Sequence, residues 1–456
     1  MRKKWGNRIG AIVLACALTM NGLPVQSISA STQKAYAAAK SETGKQDVSQ
    51  PETKMGNVVL DGNDIAVNNV NGLTYKGFGM LSGNSTSDLL MDYKAEQPKA
   101  YAELMQYLFG GNYPIMNHVK LEMGNDRNTS TGPESCTKRT EKEKANVLRN
   151  PGWQLAADAR KINPKIKVSI LRWEAPVWAG TDEKIYQWYK ETILDAYEKY
   201  GYMVDYINPN INEKWDVDSD VAFTKKFAKW IAAETKETIP DEKALALYHK
   251  IKLVVSDEAG TASDSVVESM KSDSDFYNSV DVVGYHYSPW DDSNGGMKWL
   301  AQTKDKEVWN SEAQATFSNS AFRPANNVKD PTTEGTGLGG TGSALEMANT
   351  FIKGFVQSRR SHVIYQPAIG SFYEGAQFSF KELVSARDPW SGWIHYDAGL
   401  LMLAHISKFA VTGWENEDNT VGIWRAVPQA SKCTADGTNP VNGRNGGENY
   451  MTLASP

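Results

Sequence analysis

From Val58 onward the chain alternates short apolar runs with longer stretches of helical period, the signature of repeated strand–helix units around a parallel sheet. The apolar runs predict strands at Lys76–Met80, Asn117–Met123, Lys167–Arg172, Tyr206–Asn212, Lys252–Asp257, Val280–Tyr287, Glu307–Ser311 and Val363–Ile369. Segments with apolar positions three and four apart predict helices at Gln97–Phe109, Gly152–Ile162, Glu183–Tyr200, Ser219–Thr238, Ala262–Met270, Met297–Thr303, Ala344–Arg360 and Asp397–Phe409. Eight strands, each followed by a helix over about 330 residues, predict a (β/α)8 TIM barrel rather than a doubly wound sheet.

The flanks read differently. After Gly413 the pattern changes to short strand-like runs, Val421–Val427 and Tyr450–Ala454, separated by a loop rich in Gly, Asn and Thr. The stretch Asn57–Val67, "NVVLDGNDIAV", is hairpin-like around Asp61-Gly62. Together they predict a small β-sandwich-like domain, incomplete in this chain, with residues 58–74 contributing strands, 413–456 beginning its C-terminal part, and 75–412 forming the catalytic barrel. Met1–Thr19 has a basic start and then an apolar run from Ile9 that is too short to span a bilayer, and Ala35-Tyr36-Ala37 supplies a small-x-small cleavage pattern. Residues 1–37 are therefore expected to be a signal peptide for secretion, followed by a flexible polar leader at 38–57. The apolar run continues past Cys16, against a lipid anchor, so no stable membrane anchor is expected.

Charge narrows the class of partner. The five basic residues of 1–37, taken from the chain's 49, leave 44 against 54 acidic ones, a balance unsuited to nucleic acid or anionic lipid. With the leader removed only Cys136 and Cys433 remain, too few for a disulfide scaffold. His118, His249, His286, His362, His395 and His405 show no metal-ligand spacing, and neither a metal nor another cofactor is expected. Fourteen tryptophans and twenty tyrosines suit the apolar faces of sugars as well as an ordinary core.

A (β/α)8 barrel gathers its working side chains at the C-terminal ends of the strands. That rule gives meaning to Asn212 and Glu213, which close the run "YINPNINE" and would otherwise be ordinary polar residues where a strand meets a loop. Glu213 follows the fourth strand, and Glu312, in "EVWNSEAQ", follows the seventh. Two carboxylates delivered to one mouth from opposite arcs are what a retaining glycosidase uses, one attacking the anomeric carbon while the other protonates the leaving oxygen and then deprotonates water. The proton donor of such a pair should hold its proton above the ordinary carboxylate range. Trp309 would stiffen the seventh strand's end and Asn212 would hold a sugar hydroxyl.

The ordered series "GFGMLSG" near residue 77, "VKLEMGND" at 119, "DYINPNINE" at 205, "DVVGYHY" at 281, "VWNSE" at 308 and "DPWSGW" at 388 resembles the galactocerebrosidase (galactosylceramidase) family, glycoside hydrolase family 59 of clan A, over roughly residues 75–415. The resemblance implies that Glu213 is the acid/base and Glu312 the nucleophile. It further implies that Asn212 binds the sugar 2-hydroxyl, that Trp173 in "LRWEAPVW" faces the sugar, and that Thr129 or Ser130 lines the pocket with Trp390 of "DPWSGW". Tyr287 matches a tyrosine that orients the nucleophile, while His286 beside it is read as structural.

Three positions depart from the family. Phe380 stands where it has an arginine, Phe378 where it has a tyrosine, and Tyr365 or Gln366 where it has a tryptophan; Arg172, Lys381 or Arg387 would have to compensate. The resemblance implies a secreted hydrolase of terminal β-galactosides, its substrate a carbohydrate or glycolipid. An endo-acting polysaccharide hydrolase of the family 30 kind and a non-catalytic sugar-binding barrel stay open, as do the sugar, the aglycone and the oligomeric state.

Overall fold

The computed structural model describes residues 58–454 except 84–85, 112–113, 128–131, 260–261, 288–294, 315–343, 367, 372–382, 387, 411–424 and 434–448. Eight parallel strands close into a barrel in chain order: β1 Gly77–Ser82, β2 His118–Glu122, β3 Lys167–Arg172, β4 Tyr206–Ile211, β5 Lys252–Ala259, β6 Val282–His286, β7 Glu307–Gln314 and β8 Arg360–Gln366, with β8 pairing back onto β1. Each falls on a run predicted from the sequence. With helices between them, the fold is a (β/α)8 TIM barrel.

The helices end where local chemistry makes them end. Asp182–Tyr200 is capped by Thr181, whose hydroxyl accepts the Lys184 N–H, and stops at Gly201 in the left-handed conformation (φ 77°). Val217–Ala233 is shorter than predicted because Glu234 turns extended and places its buried carboxylate on Tyr186 (2.8 Å) and Lys190. Four helices went unpredicted: Val70–Leu73, Thr86–Glu96, Glu242–Tyr248 and Ser274–Ser279. The last three each share a strand-to-strand connection with a longer helix whose apolar stripe dominates the local pattern.

Outside the barrel, Ile369–Ser371, Val384–Ala386 and Ile394–Tyr396 form a three-stranded sheet, and Arg425–Ala426 pairs with Leu453–Ala454. The expected hairpin near Asp61 is not one. Asp61 instead accepts the Asn63 N–H (2.9 Å) and caps a 3-10 turn at Gly62–Asp64, because an Asp side chain competes for backbone donors better than a neighbouring strand does here. Residues 59–74 meet the C-terminal strands through the Thr74–Arg425 bridge and a hydrogen bond from Arg425 Nη1 to Ala66 O (2.9 Å), rather than as strands of a sheet.

Most of the apolar core fills the space between strands and helices. Inside the barrel the apolar layer is thin: Leu81, Leu171, Tyr206, Val254, Val282, Trp309 and Ile364. On one side of it, toward the strands' N-terminal ends, His118 and His362 stack with ring centroids 5.0 Å apart. On the other lie Lys120, Asp257 and His286, all buried.

Candidate active site

The C-terminal ends of β4, β5, β6 and β7 build one cluster. Asn212 donates its N–H to Arg172 O and Glu213 donates its N–H to Asp257 O, both at 2.9 Å, so the segment leaving β4 is pinned to strands on either side. Glu213 adopts φ 57°, and Ser256 (74°), Asp257 (45°) and Tyr287 (59°) share the left-handed region with it. Non-glycine residues there cost about 1–3 kcal/mol each, and they persist only where surrounding contacts enforce them. Register shifts between Ser256 and Glu258 and between Tyr285 and His286 fall at the same level, re-aiming the side chains that follow.

Those side chains converge. Tyr287 donates its hydroxyl to Glu213 Oε1 (2.9 Å) and also approaches Glu312 Oε1, bridging the two carboxylates. Its backbone N–H donates to Glu312 O (2.9 Å), which fixes the bridge to the seventh strand. His286 lies against both, with Nδ1 3.1 Å from Glu213 Oε1 and 3.9 Å from Glu312 Oε2, while Nε2 is 3.7 Å from Asp257 Oδ1. Asp257 in turn accepts from Lys120 Nζ (3.0 Å) and Asn208 Nδ2 (2.8 Å), and Lys120 also donates to Ser311 O (3.2 Å). Gly284 makes room: a Cβ there would lie 2.6 Å from Asp257 Oδ1 and 2.5 Å from Ser311 Oγ. Beneath Asp257 a void of about 10 Å³, bordered by Lys120, Ser169, Asn208 and Ser311, is the size of one water.

Charge is distributed unevenly over the cluster. The hydrogen bond from His286 lowers the Glu213 carboxyl, with burial pulling the other way. Burial pulls the His286 imidazolium down, but Glu312, Asp257 and Glu213 push it up to about 9. Asp257, opposed by its burial, is held well below the carboxylate range by Lys120 and His286. Tyr287 is raised by burial and then by both glutamates, and stays a proton donor. The expectation that Glu213 would hold its proton more tightly than an ordinary carboxyl is thus reversed in the free site, because the neighbour that bonds it is a histidine that competes for the proton.

The structure brings Glu213, Glu312 and Tyr287 together; one ligand-type atom each from Glu213, His286 and Glu312 lies within 4.8 Å of the others. These are the groups among the described residues closest to a metal-ligand set, and they are bonded to one another through Tyr287 and His286. Asn212 is fully buried beside Glu213, and neither amide atom is bonded among the described residues. Trp173 is half-buried after β3 and packs on the apolar layer inside the barrel. Trp309 sits in that layer, donating Nε1 to Glu307 Oε2 (2.9 Å) rather than bracing the strand's end. Trp390 is 71% exposed on a turn, its carbonyl accepting from Gln97. Thr129, Ser130, Phe378, Phe380, Lys381 and Arg387 lie outside the described residues.

Sequence reasoning missed Lys120 and Asp257 and took His286 for a structural residue. A lysine interrupting the apolar run "HVKLE" and an aspartate closing "KLVVSD" were the available signals, since a charge on the inward face of a barrel strand needs a partner there.

Comparison with known proteins gives this geometry a context. The profile of glycosyl hydrolase family 59 matches residues 75–408. Galactocerebrosidase of Danio rerio is 25% identical over 357 residues, covering 75% of this chain and 46% of that protein. The Homo sapiens galactocerebrosidase is 27% identical over 350 residues, covering 75% and 44%. The chain thus spans about half the length of the curated relatives it matches. Among solved structures, SrfJ from Salmonella typhimurium superposes with a TM-score of 0.55 at 14% identity, covering 74% of this chain and 75% of that one. An endo-beta1,6-glucanase gives 0.52 at 14% identity, covering 73% and 75%. At that identity the likeness speaks for the barrel alone.

Proposed function

The chain belongs to glycosyl hydrolase family 59, and from that premise we propose that it is a retaining β-glycosidase acting on terminal β-galactosides of glycolipids or oligosaccharides. The observation that carries the reading is the carboxylate pair at the mouth, with oxygens of Glu213 and Glu312 inside 4.8 Å. Retaining enzymes hold their carboxyl groups about 5–5.5 Å apart, whereas inverting ones need about 6.5–9.5 Å to admit a water between them.

Roles follow from the bonds. Glu312 Oε1 is engaged by Tyr287, while Oε2 is buried and unbonded among the described residues, the state of an oxygen ready to attack. Glu312 Oε2 forms the bond to the anomeric carbon as the bond to the leaving oxygen breaks, and Glu213 gives that oxygen its proton. Glu213, now a carboxylate, takes a proton from water; the water oxygen attacks the same carbon and releases Glu312. Asn212 holds the sugar 2-hydroxyl, and Trp173 supplies an apolar face for the ring.

The names of the relatives support a galactoside and a glycolipid, and the leader supports secretion through a cleavable signal peptide. A panel of nitrophenyl β-glycosides tests the reading. Preferential release from the galactoside, with monosaccharide as the sole product from oligosaccharides, is expected. A ladder of oligomers from a polysaccharide would replace it with endo action, and sugar binding without turnover would remove catalysis from the account.

A further inference from the structure

A histidine beside a catalytic carboxylate is commonly a passive packing group, and three features of His286 argue otherwise. Both its ring nitrogens face carboxylates: Glu213 Oε1 at 3.1 Å and Glu312 Oε2 at 3.9 Å from Nδ1, Asp257 Oδ1 at 3.7 Å from Nε2. Only Nδ1 is within hydrogen-bond distance of a carboxylate, and Nε2 makes no hydrogen bond among the described residues, so what favours the imidazolium is the charge of the carboxylates on both sides of the ring. The charged groups around it, from each neighbouring strand, are Lys120 (β2), Glu213 (after β4), Asp257 (β5), Glu312 (β7) and the adjoining Tyr287. Lys120 is taken up by Asp257 and Ser311 O, which leaves Glu213 and Glu312 with His286 as the one remaining cation in this group. Finally, the two partners in the Nδ1 contact differ in access: the His286 side chain is wholly buried, whereas that of Glu213 is 31% exposed.

We propose that His286 is a positioning residue that stores the proton Glu213 delivers to the leaving group. In the empty site the proton rests on Nδ1 and Glu213 is a carboxylate. A sugar seated over Glu213 strips its water, which disfavours the charged carboxylate, while His286 has no water to lose. The Nδ1–H bond breaks, Glu213 gains the O–H, and both groups become neutral without change in the cluster's total charge. Glu213 then protonates the leaving oxygen, regains a proton from water in the second half of the reaction, and returns it to Nδ1 when product leaves. The lowered carboxyl of Glu213 and the raised imidazolium of His286 in the free site agree with this placement. Such a pair titrates as a unit, so the alkaline limb of kcat/KM belongs to the pair and falls near the histidine's value of about 9.

The inference rests on the hydrolase reading for its purpose, and the test separates the two. In full-length protein labelled with nitrogen-15 histidine, both His286 nitrogens should be protonated at pH 7 and should titrate near 9; the signal is assigned by its loss in His286→Gln or by its displacement in Tyr287→Phe. A neutral imidazole at pH 7 overturns the proposal whatever the enzyme's activity. In kinetics, His286→Gln should lower turnover of an alkyl β-galactoside about a hundredfold, within the range for general acid catalysis, and change glycosylation by a dinitrophenyl β-galactoside only a few-fold. Its alkaline limb should move by more than a unit toward acid. Equal losses on both substrates, or an unmoved limb, would reduce His286 to scaffolding. Silence of the wild type on every glycoside would sink the hydrolase reading, while the titration would still decide where the proton lies.

Discussion

His286 at the mouth and His362 at the floor of the same barrel are about equally buried, at 1% and 2% exposure, yet their surroundings push their proton affinities in opposite directions. The mouth histidine is surrounded by Glu213, Asp257 and Glu312 and is pushed up to about 9. The floor histidine accepts or donates through His118 Nδ1 (2.9 Å), lies against the Trp309 ring, and is pulled down to about 4, chiefly by burial. His118, bonded onward to Ser169 Oγ (2.7 Å), is lowered too. Burial alone neutralises an imidazole, and three carboxylates reverse it. Polarity inside a barrel therefore has two uses: the floor is a neutral hydrogen-bonded plug, and the mouth is a charged device.

The sharpest way to break this comparison is to delete the mouth's nucleophile. Glu312→Gln should lower turnover by about 10⁴-fold or more while leaving the far-ultraviolet spectrum and unfolding midpoint near those of wild type. Activity close to wild type would move the nucleophile elsewhere.

Next in size, Glu213→Ala should lose about 10²–10⁴-fold on substrates with poor leaving groups but still be glycosylated by a dinitrophenyl β-galactoside. Azide should then restore turnover and give the β-azide, whereas Glu312→Ala should give the α-azide by direct attack on the substrate. An α product from Glu213→Ala would exchange the two roles.

Two glycines sharpen the contrast further. Gly284→Ala places a Cβ against Asp257 Oδ1 and Ser311 Oγ, while Gly79→Ala meets His118 Cβ at 2.9 Å. Each should cost about 1–3 kcal/mol of stability, measured by urea unfolding. Only the mouth substitution should also lower kcat in the protein that remains folded. Equal kinetic effects would mean that floor and mouth are mechanically one unit.

The smallest expected effect lies in the pH dependence of stability. His286, raised in the folded state, contributes stability that is complete below about 6.5 and is lost as pH rises through about 9. His362, lowered in the folded state, works in the other direction: stability falls as pH drops from about 6.5 through about 4, because the unfolded chain takes up the proton first. Urea unfolding across pH should give at most one proton of slope from each, with His286→Gln flattening the alkaline side alone.

Much of the barrel was legible in the sequence because parallel strands buried on both faces write themselves as apolar runs; Lys167–Arg172 matches its predicted bounds, and the other seven differ by a few residues at their ends. The three-stranded sheet was not, since its strands of three residues are shorter than any period can declare. At the site, Glu213 and Glu312 could be read because the barrel rule assigns strand ends to one mouth. The proton's location could not, because it depends on distances among His286, Asp257, Glu213 and Glu312, which come from four strands and up to 99 positions of chain separate Glu213 from Glu312. Asp61 misled for a local reason: the dipeptide that favours a hairpin also offers a side chain able to cap a turn.

The left-handed backbone at Glu213, Ser256, Asp257 and Tyr287 bears on how this barrel can be engineered. A search for thermostable variants rewards relief of unfavourable conformations, and a glycine at any of these four positions would remove the Cβ that opposes the native φ. The same exchange would erase a group that carries a proton or a charge at Glu213, Asp257 or Tyr287, and at Ser256 it would loosen the backbone at the register shift beside Asp257. Selection for heat resistance alone should therefore drift toward a sturdier and slower protein, and screens on this scaffold need turnover as a second criterion from the first round.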